Sequence, residues 1–333
     1  MDKGVTVHDV AKKAQVSTAS VSRVINGTAF VSESTRRRIK EAIDELGFEP
    51  NASAKKLRRQ QSQNIALVVS EFSNPFFPAV VNEVVHVANE NDYSVFIIAG
   101  EEPEQEVRRL VASRSVDGLL LMHSGLRWAS HAPLNDLTIP VVAFDRVPKA
   151  LSVPVVQTDN FSGVSAVMSH LFAKGHRTIA HITGPPELSV SQHRLESFLQ
   201  ALQEANIEVD PNLIVAGDFT EESGVKAMNT LLNRSVLPDA VFACNDLMAI
   251  GAISAAVNNN VVVPDEIGVV GFDGIAMSQY ISPRLTTYKQ PVNLIARTCI
   301  SMLLEMMQTD TDVTENHTPL LTLPGSLLIG EST

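Results

Sequence analysis

The spacing of apolar positions changes character once along the 333-residue chain, near residue 64. Before that point it is helical. Val7, Val10, Ala11 and Ala14 recur at i, i+3, i+4, i+7, which predicts a short amphipathic helix, with Thr6 as its cap and Asp9 placed to close a capping box. After a break at Gln15-Val16, Ser17 is expected to cap a second helix whose inward side is Val21, Val24 and Ile25 and whose end is Asn26-Gly27. A third helix should start at Ser32, bury Ile39, Ala42, Ile43 and Leu46, and stop at Gly47. Two short helices across a tight turn predict a helix-turn-helix. The second helix would carry small residues, Thr18, Ala19 and Ser20, with Arg23 as its only long cation, a surface narrow enough for the major groove.

From Asn64 the pattern becomes short apolar runs alternating with helical stretches. Residues 65–69, 94–98, 118–121 and 141–144 are continuous apolar runs, separated by helical periodicity near 78–91 and 104–114, as expected of buried parallel strands. A second series, 178–182, 213–215, 240–242 and 267–270, has helices near 161–174, 190–206, 221–233 and 246–258 between its runs. The prediction is an α/β core of two doubly wound parallel sheets, with a cleft at the carboxyl ends of the strands.

Charge separates the same two regions. Residues 1–60 hold 12 Lys and Arg against 7 Asp and Glu, a net +5, whereas the remainder carries −16. Phosphate attraction is therefore expected to be confined to the head. The chain has no long apolar run and no leader pattern ahead of its first helix, so a cytoplasmic protein with no membrane partner is expected. Cys244 and Cys299 lie in apolar segments and read as reduced core residues. Walker A, G-x-S-x-G and H-E-x-x-H motifs are lacking, and no complete G-x-G-x-x-G follows the first strand. His170, His176 and His181 read as structural residues rather than ligands. No catalytic residue, metal ligand or cofactor is expected, and the protein is not expected to be an enzyme.

The run Val7 to Asn26, then Val31-Ser32 and Gly47-Phe48-Glu49-Pro50-Asn51-Ala52-Ser53-Ala54-Lys55-Lys56-Leu57, resembles the head and hinge of the lactose/galactose repressor family. The resemblance continues through Asn74-Pro75-Phe76-Phe77, Gly175-His176-Arg177, Asn245-Asp246 and Gly271-Phe272-Asp273. Gly330 departs from it, since arginine is expected there, which puts the C-terminal contacts in question. The family implies a head over 1–49, a hinge helix and linker over 50–63, and over 64–333 a bilobed core like that of periplasmic sugar-binding proteins. One lobe would comprise 64–158 and 291–318 and the other 159–290 and 319–333, with three crossings forming a hinge. It further implies that the hinge lies in the minor groove of operator DNA with Leu57 wedged into a base step, Pro50 and the spacing of Ala54 and Leu57 being suited to a short helix there. DNA contacts are accordingly expected from Thr6, Ser17, Thr18, Ala19, Ser20, Arg23, Asn26, Asn51, Ala54, Lys55, Leu57 and Arg58.

Asn74, Phe76, Phe77, Asp145, Arg146, Arg194, Phe219, Asn245, Asp273 and Gln290 are similar, in order along the chain, to the pocket of ribose-binding proteins. Aromatic faces with amide and charged groups around them suit a small sugar, whose buried hydroxyls need partners. The resulting expectation is a repressor acting as a homodimer on a pseudo-palindromic operator and controlled by D-ribose or a ribose derivative. A nucleoside, purine or hexose effector is the alternative, and a transport-type sugar-binding protein a remote one.

Overall fold

The computed structural model describes residues 5–26, 31–48, 61–100, 103–122, 137–145, 153–308 and 320–333. It contains two compact units, Met1–Ser62 and Gln63–Thr333. The hinge residues Asn51, Ala54, Lys55, Leu57 and Arg58, and the pocket candidate Arg146, lie outside the described residues.

The head consists of α1 (Val7–Ala14), α2 (Thr18–Asn26) and α3 (Glu33–Leu46). Thr6 and Asp9 form the expected reciprocal capping box on α1, and Ser17 Oγ accepts from the Ser20 amide at 3.1 Å to cap α2. Gln15 turns the chain out of α1 in a left-handed conformation, its amide donating to the Ala11 and Lys12 carbonyls. Arg38 fastens this turn from α3, donating to Ala14 O at 2.9 Å and Gln15 O at 3.1 Å. Ser32 does not cap α3 as expected: its hydroxyl is taken up by Ser34 and Thr35. Val10, Ala11, Ala14, Val21, Ile39, Ala42 and Phe48 form the small core.

The larger unit carries two six-stranded sheets. In the first, β1 (Asn64–Val69), β2 (Ser94–Ala99), β3 (Gly118–Met122), β4 (Val141–Phe144), β5 (Val155–Thr158) and β11 (Leu320–Leu323) run parallel in the order β11-β5-β4-β3-β1-β2. In the second, β6 (Ile179–Thr183), β7 (Ile214–Ala216), β8 (Ala240–Ala243), β9 (Gly268–Asp273) and β10 (Thr286–Lys289) are parallel, and β12 (Ser326–Leu328) closes the edge antiparallel to β10. Alternate residues feed two cores: Ile65, Leu67 and Val69 pack against α4 (Phe76–Glu90) and α10 (Val292–Gln308), while Ala66 and Val68 join Val107 and Leu110 of α5 (Glu104–Ala112). Both faces of the inner strands are thus covered, and these read as continuous apolar runs instead of an alternation, whereas edge strand β2 leaves Phe96 and Ile97 exposed.

The second sheet is flanked by α6 (Asn160–Ala173), α7 (Ser189–Glu204), α8 (Glu221–Leu232) and α9 (Asp246–Asn258). Gly224 and Gly251 let α8 and α9 approach closely, since a Cβ at either would strike the other helix's backbone. The chain passes between sheets at 158–160, 289–292 and 323–326. The third passage falls later than expected, because Leu320–Leu323 pairs with β5 of the first sheet. Gly330 also has a structural reason. Its backbone lies against Arg284 and Leu285 with no room for a side chain. The tail beside it is held by bonds such as Glu331 N to Arg284 O at 2.7 Å and Val269 N to Ser332 O at 2.7 Å.

Candidate functional site

In the head, Thr18, Ala19 and Arg23 are exposed on α2, and Ser20 is half-buried. Thr6 and Ser17 serve as caps, so their hydroxyls are already oriented by the helices they begin. Val21 is fully buried beneath this surface, which fixes α2 from behind and leaves the opposite side free for a groove. Asn26 ends α2.

In the larger unit, the carboxyl ends of strands from both sheets converge on one pocket lined by Asn74, Phe76, Phe77, Asp145, Val190, Arg194, Phe219, Asn245, Asp273 and Gln290. Nine of these are the nine described residues expected from the sequence, and Val190 is the addition. Asn74 follows β1, Asp145 follows β4, Arg194 lies in the helix after β6, Phe219 follows β7, Asn245 follows β8, Asp273 ends β9 and Gln290 follows β10. Strand ends meeting at a point where the topology switches are a usual ligand position.

The groups are buried and mutually engaged. Arg194, 3% exposed, donates from Nε to Asn160 Oδ1 at 2.8 Å and from one terminal nitrogen to Cys244 O at 2.6 Å. It stacks on the Phe272 ring at 3.8 Å, and its guanidinium lies 3.8 Å from Asp273 Oδ1. Asp273 Oδ1 also accepts from Gln290 Nε2 at 2.7 Å. A buried guanidinium and carboxylate tolerate loss of water only when so paired. Two of the pocket asparagines are also engaged within the protein: Asn74 Oδ1 accepts from the Phe76 amide at 2.9 Å, and Asn245 caps α9 through Met248 N while donating to Phe219 O at 2.9 Å. They shape the loops that present the aromatic rings. Phe76 and Phe77 meet edge to face, with centroids 5.6 Å apart and planes at 69°.

Backbone strain gathers here. Asp145 (φ 59°), Phe219 (φ 72°) and Asp273 (φ 129°) adopt left-handed conformations that side-chain-bearing residues seldom take. A free volume of about 10 Å³ remains at the centre, enough for roughly one water. A roomier cavity of about 180 Å³ lies near the start of β6, over Ile179, Phe198 and Leu202. It gathers no comparable ring of buried polar groups, since Arg177 at its rim is spent on the Phe172 and His176 carbonyls.

Sequence reasoning missed Asp246, Thr158 and Asn160, all buried beside the pocket. Burial first, and the neighbouring Asp273 charge second, push the Asp246 carboxyl up to about 7, while bonds from Thr287 Oγ1 at 2.5 Å and Ile275 N at 2.8 Å moderate the rise. Its place directly after a capping asparagine was the available signal. His181 is stacked between Phe198 and Phe242, with Nδ1 donating to Phe242 O at 2.9 Å. Burial lowers its pKa to about 4, which keeps the ring neutral. Cys244 and Cys299 are buried in different lobes. Among the described residues, no cluster of His, Cys, Asp and Glu could hold a metal ion, and no helix is long and apolar enough to cross a membrane.

Comparison with known proteins matches residues 6–51 to the family of bacterial regulatory proteins called the lacI family, and residues 168–333 to a periplasmic binding protein-like domain. The chain is 35% identical over 306 residues to the HTH-type transcriptional repressor CytR of Escherichia coli K12, covering 91% of this chain and 90% of that protein. Among solved structures it is similar to the lac repressor dimer bound to operator and the anti-inducer ONPF, with 28% identity, 99% of both chains covered and a TM-score of 0.84. It is also similar to the transcriptional regulator CelR in a cellobiose complex, with 32% identity, 99% and 100% coverage and a TM-score of 0.73.

Proposed function

The chain belongs to the LacI family of bacterial regulatory proteins and is a DNA-binding transcriptional repressor; from that premise we propose that a ribose-bearing small molecule, D-ribose or a ribose derivative, binds its interlobe pocket and sets its operator affinity. One observation carries the reading: Arg194, Asp273 and Gln290 converge with Asp145 and three phenylalanines at the strand ends of both lobes. Donor and acceptor groups around aromatic faces match a ring that is polar at its rim and apolar on its C–H faces. Because the pocket's centre holds only about 10 Å³, admitting such a ring requires the pocket to widen, and a shift of the lobes would supply the space. A ligand that favours one lobe arrangement thereby shifts the population of that arrangement.

A ribonucleoside is the second reading. It would keep the ribose contacts and lay its base against Phe76, Phe77 or Phe219, the rings available in the pocket. On the DNA side, Thr18, Ala19, Ser20 and Arg23 read bases, and the hinge around Leu57 binds the minor groove. The protein acts as a homodimer, for which the exposed apolar residues Phe96, Ile97, Met277 and Tyr280 supply surface.

Calorimetry with D-ribose, ribose phosphates, ribonucleosides and hexoses tests the effector. Heat with a ribose-bearing compound, lost in Arg194→Ala while operator binding persists, is the expected result. Binding of a hexose with no heat from any ribose-bearing compound would overturn it.

A further inference from the structure

Five buried residues form a closed polar ring, four of its links between side chains and one through the Thr158 backbone carbonyl, that includes three pocket residues and two that do not line the pocket. Thr158 Oγ1 donates to Gln290 Oε1 at 2.5 Å, and Gln290 Nε2 donates to Asp273 Oδ1 at 2.7 Å. Asp273 Oδ1 lies 3.8 Å from the Arg194 guanidinium, whose Nε donates to Asn160 Oδ1 at 2.8 Å. Asn160 Nδ2 returns the ring to its start by donating to the Thr158 carbonyl at 3.1 Å. All five residues are at most 5% exposed.

The position of the ring gives it meaning. Thr158 is the last residue of β5 in the first sheet and Asn160 opens α6 of the other lobe, so the pair spans the first passage between lobes. Gln290 stands in the second passage, between β10 and α10. The third is tied in alongside, with Asp159 N donating to Leu323 O at 2.9 Å and Gly325 N to Tyr288 Oη at 2.8 Å. Arg194 and Asp273 face the pocket. A ligand that takes hydrogen bonds from Arg194 or gives them to Asp273 engages the same two side chains whose Nε and Oδ1 atoms hold the interlobe segments. A buried polar network has few ways to lose one bond without rearranging the others.

We propose that Thr158 and Asn160 are positioning residues that close this ring and thereby couple occupancy of the pocket to the geometry of the interlobe hinge. The proposal rests on the reading of the pocket as the effector site. Its elements are discrete: a ring either closed on its own members or opened toward a ligand, which is the kind of two-state element coupling requires.

The test compares Thr158→Val, which removes the hydroxyl at nearly constant volume, with Thr158→Ser, which retains it. Operator Kd is measured with and without D-ribose, and then with adenosine and cytidine as probes. In Thr158→Val the ratio of the two Kd values should fall to within about twofold of unity although calorimetry still detects the probe, whereas Thr158→Ser should keep the native ratio. A native ratio in Thr158→Val would overturn the proposal, because a merely structural role would lower the melting temperature and leave the ratio alone.

A ligand-free measurement separates the ring from the pocket reading. Thr158→Val and Arg194→Met remove groups that do not touch, yet the ring predicts that their effects on the unfolding equilibrium constant depart from additivity by at least about threefold. Additive effects would overturn the ring. Should neither these probes nor ribose phosphates give heat with the native protein, the effector reading fails, and non-additivity in this cycle would still support the ring.

Discussion

The exposed side of α2 in the head and the pocket at the strand ends of the larger unit solve opposite problems. On α2, Thr18, Ala19 and Arg23 stand in solvent, and the groups that orient them, Ser17 and the turn at Gln15, are sequence neighbours. In the pocket, Arg194, Asp273 and Gln290 are nearly inaccessible, and their side-chain hydrogen bonds to Asn160, Cys244, Thr158 and each other cross 17 to 132 residues of chain. An exposed side chain can be removed at the cost of its own contact. Removing a buried one strands its partner in a medium that does not solvate it. Mutations in the two regions should therefore differ in kind, with the head losing affinity alone and the pocket losing stability and response together.

The largest expected effect is at the ion pair. Asp273→Ala leaves the Arg194 guanidinium buried with its charge uncompensated and should destabilise the larger unit by about 3–5 kcal/mol. Urea unfolding reads this loss, and operator binding in the same variant should persist but stop responding to effector. If stability were unchanged, the pocket would resemble the head and the contrast would fail.

Next comes the pH dependence of Asp246. Its folded pKa of about 7 lies above the ordinary 3.8, so its contribution to stability is full below the unfolded value and is lost as pH rises through the folded one. Asp246→Asn stays neutral throughout. Thermal melts should show this variant gaining on the native protein as pH rises from about 4 to about 7, by about 2–4 kcal/mol, and levelling off above that. A difference that is the same at about pH 4 and about pH 7.5 would place the effect in packing instead of charge.

Arg23→Ala should cost about 1–3 kcal/mol on operator DNA with no shift in melting temperature, as fits an exposed contact. Equal loss on random DNA, measured by anisotropy, would make Arg23 a phosphate contact. Leu57→Ala completes the series. It should weaken operator binding and reduce DNA bending without altering effector binding, by about 1 kcal/mol or a little more. Unchanged bending would remove the wedge from the account.

What the residues alone determined is what depends on near neighbours. The capping box at Thr6 and Asp9, the Ser17 cap, the left-handed stop at Gly47 and the apolar period of α1 all rest on interactions within four residues, and they are written in the chain as such. The buried strands were legible for a related reason: a sheet covered on both faces needs continuous apolar runs. The nine described pocket residues could be named in advance only because they resembled a known set in order along the chain. Their convergence, the engagement of Asn74 and Asn245 as loop anchors, and the entry of Val190 were decided by the tertiary fold. The same is true of β5, β10, β11 and β12, short or polar strands whose pairing comes from neighbours elsewhere in the chain. Ser32 shows the converse, a residue of suitable type whose hydroxyl found other partners. Thr158 and Gln290 mark the limit of sequence reading most plainly, because 132 residues separate them and only the crossing of the chain between lobes brings hydroxyl and amide together. A hydrogen bond of that separation leaves no periodicity behind, since it is set by where two sheets place their ends and not by how the chain repeats.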